Sequence, residues 1–125
     1  MKNQQGYSLF ELIFVITLIG LLMSAAIPSY LAIANKARVL KARMDVQTIS
    51  QAVEIHALET GVYPNNLNQL LLGGDHARMA YIPLDPWNHA YRYINRAVVS
   101  YGADNQPGGT GYNTDISSAV NYIEL

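Results

Sequence analysis

The chain has 125 residues, enough for one modest core with little room for a second. Half of them are apolar and only 14% are charged, whereas a soluble domain carries about 25% charged residues, so the deficit must be concentrated somewhere. Eight basic against nine acidic residues give no basic footprint for nucleic acid, and the lack of cysteine excludes disulfides, thiolate zinc sites and cysteine nucleophiles.

The deficit lies at the amino end. After the polar stretch Met1–Gly6, an apolar run extends from Leu9 to Ile27, with Glu11, Thr17 and Ser24 as its polar members and Gly20 inside it. As a helix this run is about 28 Å long, close to the thickness of one bilayer core. From residue 35 onward polar and apolar residues mix as they do in soluble domains. The pattern predicts a membrane segment followed by a small soluble domain. No A-x-A cleavage site of a secretory signal follows Ile27, and the alternative cut lies before the run, at Gly6-Tyr7.

Between Tyr30 and Thr60 there is neither glycine nor proline. Val39, Ala42, Val46, Ile49 and Val53 step by three and four, which places them on one helical stripe. Lys36, Arg38, Lys41, Arg43, Asp45, Glu54 and Glu59 fall mostly off it. Gly61 reads as a C-cap, and Pro64 prevents resumption of the helix. One long helix is therefore expected from about Ser8 to Thr60, kinked at Pro28 and loosened at Gly20. A short helix follows over 65–74, with an asparagine N-cap and glycines at its end. Ala90–Ile94 and Ala97–Tyr101 read as a hairpin joined by Asn95-Arg96, and Val120–Leu125 as a last antiparallel strand. Trp87, beside two prolines, reads as a packing anchor, and the tyrosines after residue 60 as half-buried core. His56, His76 and His89 share no ligand spacing, and no Walker loop, HExxH, GxSxG or Rossmann fingerprint occurs, so no catalytic constellation is expected.

Gly6-Tyr7-Ser8-Leu9-Phe10-Glu11-Leu12, followed by an apolar run ending Ile27-Pro28-Ser29-Tyr30, resembles the signal of type IV prepilins and pseudopilins. Further on come Gly61-Val62-Tyr63-Pro64, Ile82-Pro83-Leu84-Asp85-Pro86-Trp87, Tyr91-Arg92-Tyr93, Ser100-Tyr101-Gly102-Ala103-Asp104, Gly108-Gly109 and Asp115-Ile116. In that order they are similar to the major pseudopilin family of type II secretion systems, over nearly the whole chain. Tyr7 replaces the usual phenylalanine, Asn88 stands where relatives usually have glycine, and Ser117-Ser118 replaces a frequent Asn-Trp. The resemblance implies an α+β, type IV pilin-like fold: a long amino-terminal helix, membrane-spanning in its first half, packed on a small antiparallel sheet. It divides the chain into a leader peptide (1–6), a transmembrane and filament-core helix (7–29) and a periplasmic domain (30–125).

On the same resemblance, prepilin peptidase cuts between Gly6 and Tyr7 and methylates the new amino group, while Glu11 and Pro28 serve assembly. Glu11 would meet the Tyr7 ammonium of a neighbouring subunit. Its position alone leaves open a second reading, in which the carboxylate snorkels to the membrane interface. Partners implied are further copies of the chain, minor pseudopilins, the peptidase, an inner-membrane assembly platform and the membrane, with no nucleic acid. The carboxyl side would lie in the periplasm. Counting positive charges points the other way, since Lys36, Arg38, Lys41 and Arg43 follow the run and only Lys2 precedes it.

Asp104 and Asp115 bracket a segment rich in glycine whose Pro107-Gly108 lets it fold back. Calcium takes six to eight oxygens, and Asp104, Asn113, Asp115 and the Tyr101 carbonyl would supply a share of them. The EF-hand pattern fails at its third and fifth positions, so spacing alone leaves a cation site and a solvated turn both open. The resemblance favours calcium in this loop, 101–116. The functional expectation is a structural subunit of a secretion pseudopilus. Alternatives are a type IV pilin, a minor pseudopilin or, from another class, a membrane-anchored periplasmic binding module.

Overall fold

A computed structural model describes residues 6–71 and 78–119. The chain divides into two compact units, Met1–Asn35 and Lys36–Leu125, and the helix α1 (Leu9–Thr60) contributes to both. In the first unit every described residue up to Ile33 is exposed, although the surface is Leu, Ile, Phe and Val. Its hydroxyls turn back on the helix: Thr17 Oγ1 donates to the Ile13 carbonyl at 2.7 Å and Ser24 Oγ to the Leu21 carbonyl at 2.7 Å. Hydroxyls satisfied in this way suit an apolar solvent. The helix passes Gly20 and continues through Pro28 without interruption. Proline removes one backbone donor there, and the Ser29 hydroxyl bonds the Ala25 carbonyl one turn back at 3.3 Å.

In the second unit the expected stripe is the buried face of α1. Ala42, Val46, Ile49, Ala52 and Val53 are all buried, with Val39 packed against them. They meet Leu67, Leu70, Tyr91, Val98 and Ile116, with Tyr63, Met79, Ile82, Trp87 and Tyr93 around the margin. The helix ends as the sequence predicts. Gly61 has φ +77 and its N–H donates to the Ala57 carbonyl at 2.9 Å.

The short helix expected over 65–74 is a single 3-10 turn, Leu67–Leu70, within the described residues. Side chains three apart eclipse in a 3-10 turn, so Leu67 and Leu70 enter the core side by side. The asparagine cap makes no side-chain hydrogen bond; instead the Asn65 N–H donates to Gln69 Oε1 at 2.7 Å.

The sheet is antiparallel, in the order β1 (Arg92–Ile94), β2 (Ala97–Ser100), β3 (Ile116–Ser117). Ile94 pairs with Ala97, leaving Asn95 (φ 51) and Arg96 (φ 67) as a two-residue turn with both residues left-handed, as a type I′ hairpin requires. Arg96 in that unusual conformation lies over the Tyr63 ring, 4.6 Å from its centre. All four residues of β2 are buried. Val98 faces the helix, while Ala97, Val99 and Tyr101 form a second small cluster with Ile94. The strand β3 was not expected; it pairs Val99 with Ser117 and Ser100 with Ile116. The strand expected at 120–125 lies outside the described residues, as does His76.

Candidate functional site

Two regions carry the chemistry, one in each unit. At the amino end Gly6 and Tyr7 precede the helix, Tyr7 is 91% exposed, and the side-chain position of Gly6 is open. Ser8 is the capping residue. Its Oγ accepts from the Phe10 N–H at 3.3 Å, its carbonyl accepts the Leu12 N–H at 3.2 Å, and its own N–H donates to Glu11 Oε2 at 3.0 Å. This Ser-x-x-Glu arrangement is a capping box in which the serine hydroxyl takes the second rather than the third helical N–H, and it also places a carboxylate at the positive end of the helix dipole. The Ser-x-x-Glu spacing that makes this cap is legible in the sequence.

The second region begins with the turn at Asp85. Asp85 is buried, its side chain 1% exposed. Oδ1 accepts from the Trp87 N–H at 3.0 Å and the His89 N–H at 2.8 Å, while Oδ2 accepts from the Ser100 hydroxyl at 2.7 Å. The Asn88 N–H closes the turn on the Asp85 carbonyl at 2.9 Å, with Pro86 in the second position that favours it. Asn88 has φ 68, the left-handed conformation that lets asparagine stand in for glycine. Trp87 packs against the core, as expected for an anchor. Ser100 Oγ in turn accepts the Gly102 N–H at 3.3 Å, which ties the start of the glycine-rich loop to this turn. Neither Asp85 nor Ser100 was read from the sequence as an organiser of the loop.

Within the loop, the 3-10 turn Gly102–Asp104 packs on the 3-10 turn Gly111–Asn113. The approach is close. A side chain on Gly102 (φ +72) would come within 2.8 Å of the Tyr112 carbonyl oxygen, and one on Gly109 (φ +84) within 2.5 Å of the Asn113 carbonyl oxygen. Asp104 and Asn113 therefore lie on apposed segments. Asp104 is exposed, and its Oδ1 accepts from the Gln106 N–H at 3.1 Å. Asp115 Oδ2 accepts from the Gly108 N–H at 3.0 Å, pinning the loop's return, while its Oδ1 is enclosed with no hydrogen-bond partner. Tyr101 leads into the first 3-10 turn with its ring buried beneath the Arg92 guanidinium, 4.8 Å away. Among the described residues no three acidic, histidine or cysteine side chains gather at one point. The loop carries two carboxylates, Asp104 and Asp115, and the amide of Asn113 beside its backbone carbonyls.

Residues 29–119 match the family described as type II secretion system (T2SS), protein G. This range covers well over half of the chain. The chain belongs to the type II secretion system protein G family. Residues 1–27 match the prokaryotic N-terminal methylation motif, which includes Gly6, Tyr7 and Glu11. Among its relatives, the type II secretion system core protein G of Vibrio cholerae is 30% identical, over 94% of this chain and 93% of the relative. The protein of the same name from Xanthomonas campestris is 31% identical, over 91% and 89%, and that of Escherichia coli K12 28%, over 85% and 86%. Membership accounts for the architecture: a long apolar amino-terminal helix followed by a packed α+β unit is a type IV pilin-like, pseudopilin fold.

Proposed function

We propose that this protein G family member is the repeating subunit of a type II secretion pseudopilus, with a structural rather than catalytic role. The observation that carries the reading is a continuous apolar helical surface, Leu9–Ile27, exposed along its whole length in a chain whose second unit has a packed core of its own. Such a surface is stable among acyl chains and equally stable against copies of itself. Prepilin peptidase removes residues 1–6 and methylates Tyr7, and the inner membrane holds the trimmed subunit with Lys36–Leu125 on the periplasmic side. The assembly platform then moves it into a filament with further copies and minor pseudopilins. Glu11 pairs there with the Tyr7 ammonium of a neighbour, which sets the register, and Pro28 shapes the helix for packing. The filament helps drive folded proteins through the outer membrane.

Calcium at the glycine-rich loop is part of this proposal. The donors are all oxygen, the preference of a hard cation, and the unpartnered Asp115 Oδ1 is a polar atom for which calcium supplies a partner. Asp104, Asp115, Asn113 and the Tyr101 carbonyl would hold it. Bound calcium would neutralise the carboxylates and order a loop that has few buried side chains of its own.

The chain lacks cysteine, so single cysteines introduced along Leu9–Ile27 report contacts between subunits without background. In cells with a working secretion system, oxidation should give a ladder of cross-linked multimers, and deletion of the gene should leave secreted proteins in the periplasm. Monomer alone, with secretion intact, would refute the subunit role. EDTA should lower the melting temperature, and Asp104→Ala should remove that sensitivity. A calcium titration with neither heat nor a thermal shift would dismiss the cation. A reporter fused after Leu125 should be active only on the periplasmic side, against the count of positive charges.

A further inference from the structure

We infer that the Ser8–Glu11 capping box is a processing determinant: it fixes the start of the helix just past the Gly6–Tyr7 bond and so keeps that bond in backbone a peptidase can engage. The inference rests on cleavage at that bond, as proposed above. Peptidases cut exposed backbone outside regular secondary structure far more readily than helix. If the helix ran further toward the amino end, the Gly6 carbonyl would accept a hydrogen bond from the N–H four residues on, that of Phe10. In the structure the Phe10 N–H is directed to Ser8 Oγ instead. The Ser8 N–H, which would reach four residues back into the leader, is directed to Glu11 Oε2. Two donors that would draw the scissile segment into the helix are thus occupied by side chains, and helical bonding begins with the Leu12 N–H on the Ser8 carbonyl. Gly6, a poor helix former, reinforces the boundary from the other side.

Glu11 consequently has two separable tasks. Capping requires an acceptor oxygen at the end of its side chain, which glutamine also provides. Pairing with an ammonium in a filament requires the negative charge. Before cleavage the residue acts through Ser8 on the position of the scissile bond, and it is there a positioning residue.

The test uses the full-length unprocessed chain in detergent micelles with prepilin peptidase. Initial cleavage rates are compared for the native chain, Ser8→Ala/Glu11→Ala, Ser8→Asp and Glu11→Gln. Amide exchange at Tyr7, Ser8 and Phe10 is followed in the same samples. A capping interaction of ordinary strength favours one helix boundary over its neighbours roughly fivefold, so the double alanine variant should be cut more slowly, by at most about fivefold, with stronger protection at Tyr7 and Ser8. Ser8→Asp and Glu11→Gln should retain the native rate, while Glu11→Gln fails to assemble. If the double variant is cut as fast as the native chain or faster, because its helix frays instead of extending, the inference is overturned. If the native chain itself is not cut at Gly6–Tyr7, the processing reading falls as well, so the two failures are told apart.

Discussion

Replacing Ser100 by alanine removes one hydroxyl from the best-connected polar cluster in the second unit. That hydroxyl donates to Asp85 Oδ2 at 2.7 Å and accepts the Gly102 N–H at 3.3 Å, and Ser100 itself is 1% exposed. A buried hydrogen bond to a carboxylate contributes about 1.5–3 kcal/mol, and here its loss leaves Oδ2 without that donor in a site water does not reach. The expected destabilisation is about 2–3 kcal/mol. For a unit of this size each kcal/mol lowers the melting temperature by about 4–8 °C, so a drop of roughly 10–20 °C is predicted. Near-ultraviolet dichroism or Trp87 fluorescence of the full chain in detergent is the suitable probe, because the helix inside the micelle will keep its far-ultraviolet signal. Asp85→Asn provides the control. Its Oδ1 still accepts from the Trp87 and His89 N–H groups and its amide can donate to Ser100, so its loss should be the smaller. A Ser100→Ala change below about 0.5 kcal/mol would refute the argument, since it would mean that water solvates the carboxylate after all.

Ile49 is fully buried at the centre of the helix–sheet core, so Ile49→Ala should cost about 3 kcal/mol in a denaturant titration. Burial, together with its hydrogen bond to Asp45 at 3.0 Å, holds the Tyr91 hydroxyl far above its ordinary pKa of 10.0. A raised pKa gives stability that is complete below the unfolded value and declines as pH rises past it. Stability should therefore fall above pH 10 by up to about 1.4 kcal/mol per unit. Tyr91→Phe should flatten that alkaline limb, leaving the smaller contribution of Tyr93, whose pKa burial also raises. At neutral pH the same substitution should cost about 1 kcal/mol through the lost bond to Asp45. Glu11→Ala should be cleaved, because Ser8 still caps the Phe10 N–H, yet should yield few filaments when these are counted by electron microscopy.

Long-period patterns in the sequence carried the fold. The step of three and four from Val39 to Val53 identified the buried face of α1, Gly61 its end, and the alternation around Asn95-Arg96 the hairpin. Short elements made by distant contacts were not legible. Ile116–Ser117 is too short to show any alternation and exists because Val99 and Ser100 present an edge to it. The turn at Leu67–Leu70 reads as an α-helix until the core shows Leu67 and Leu70, three apart, entering it together from a 3-10 turn. At the glycine-rich loop, composition marked the acidic ends, but the attachment through Asp85 and Ser100 joins residues fifteen apart and leaves no local signal. Asp104 and Asn113 do lie on packed segments, and Asp115 is the carboxylate with an oxygen left over.

The chain's role depends on a leader that is removed and a freed amino terminus that enters a bundle. Intact mass analysis of the subunit recovered from purified filaments tests this in one step. The account predicts a chain that starts at N-methylated Tyr7; filaments built from chains still carrying Met1–Gly6 would contradict it.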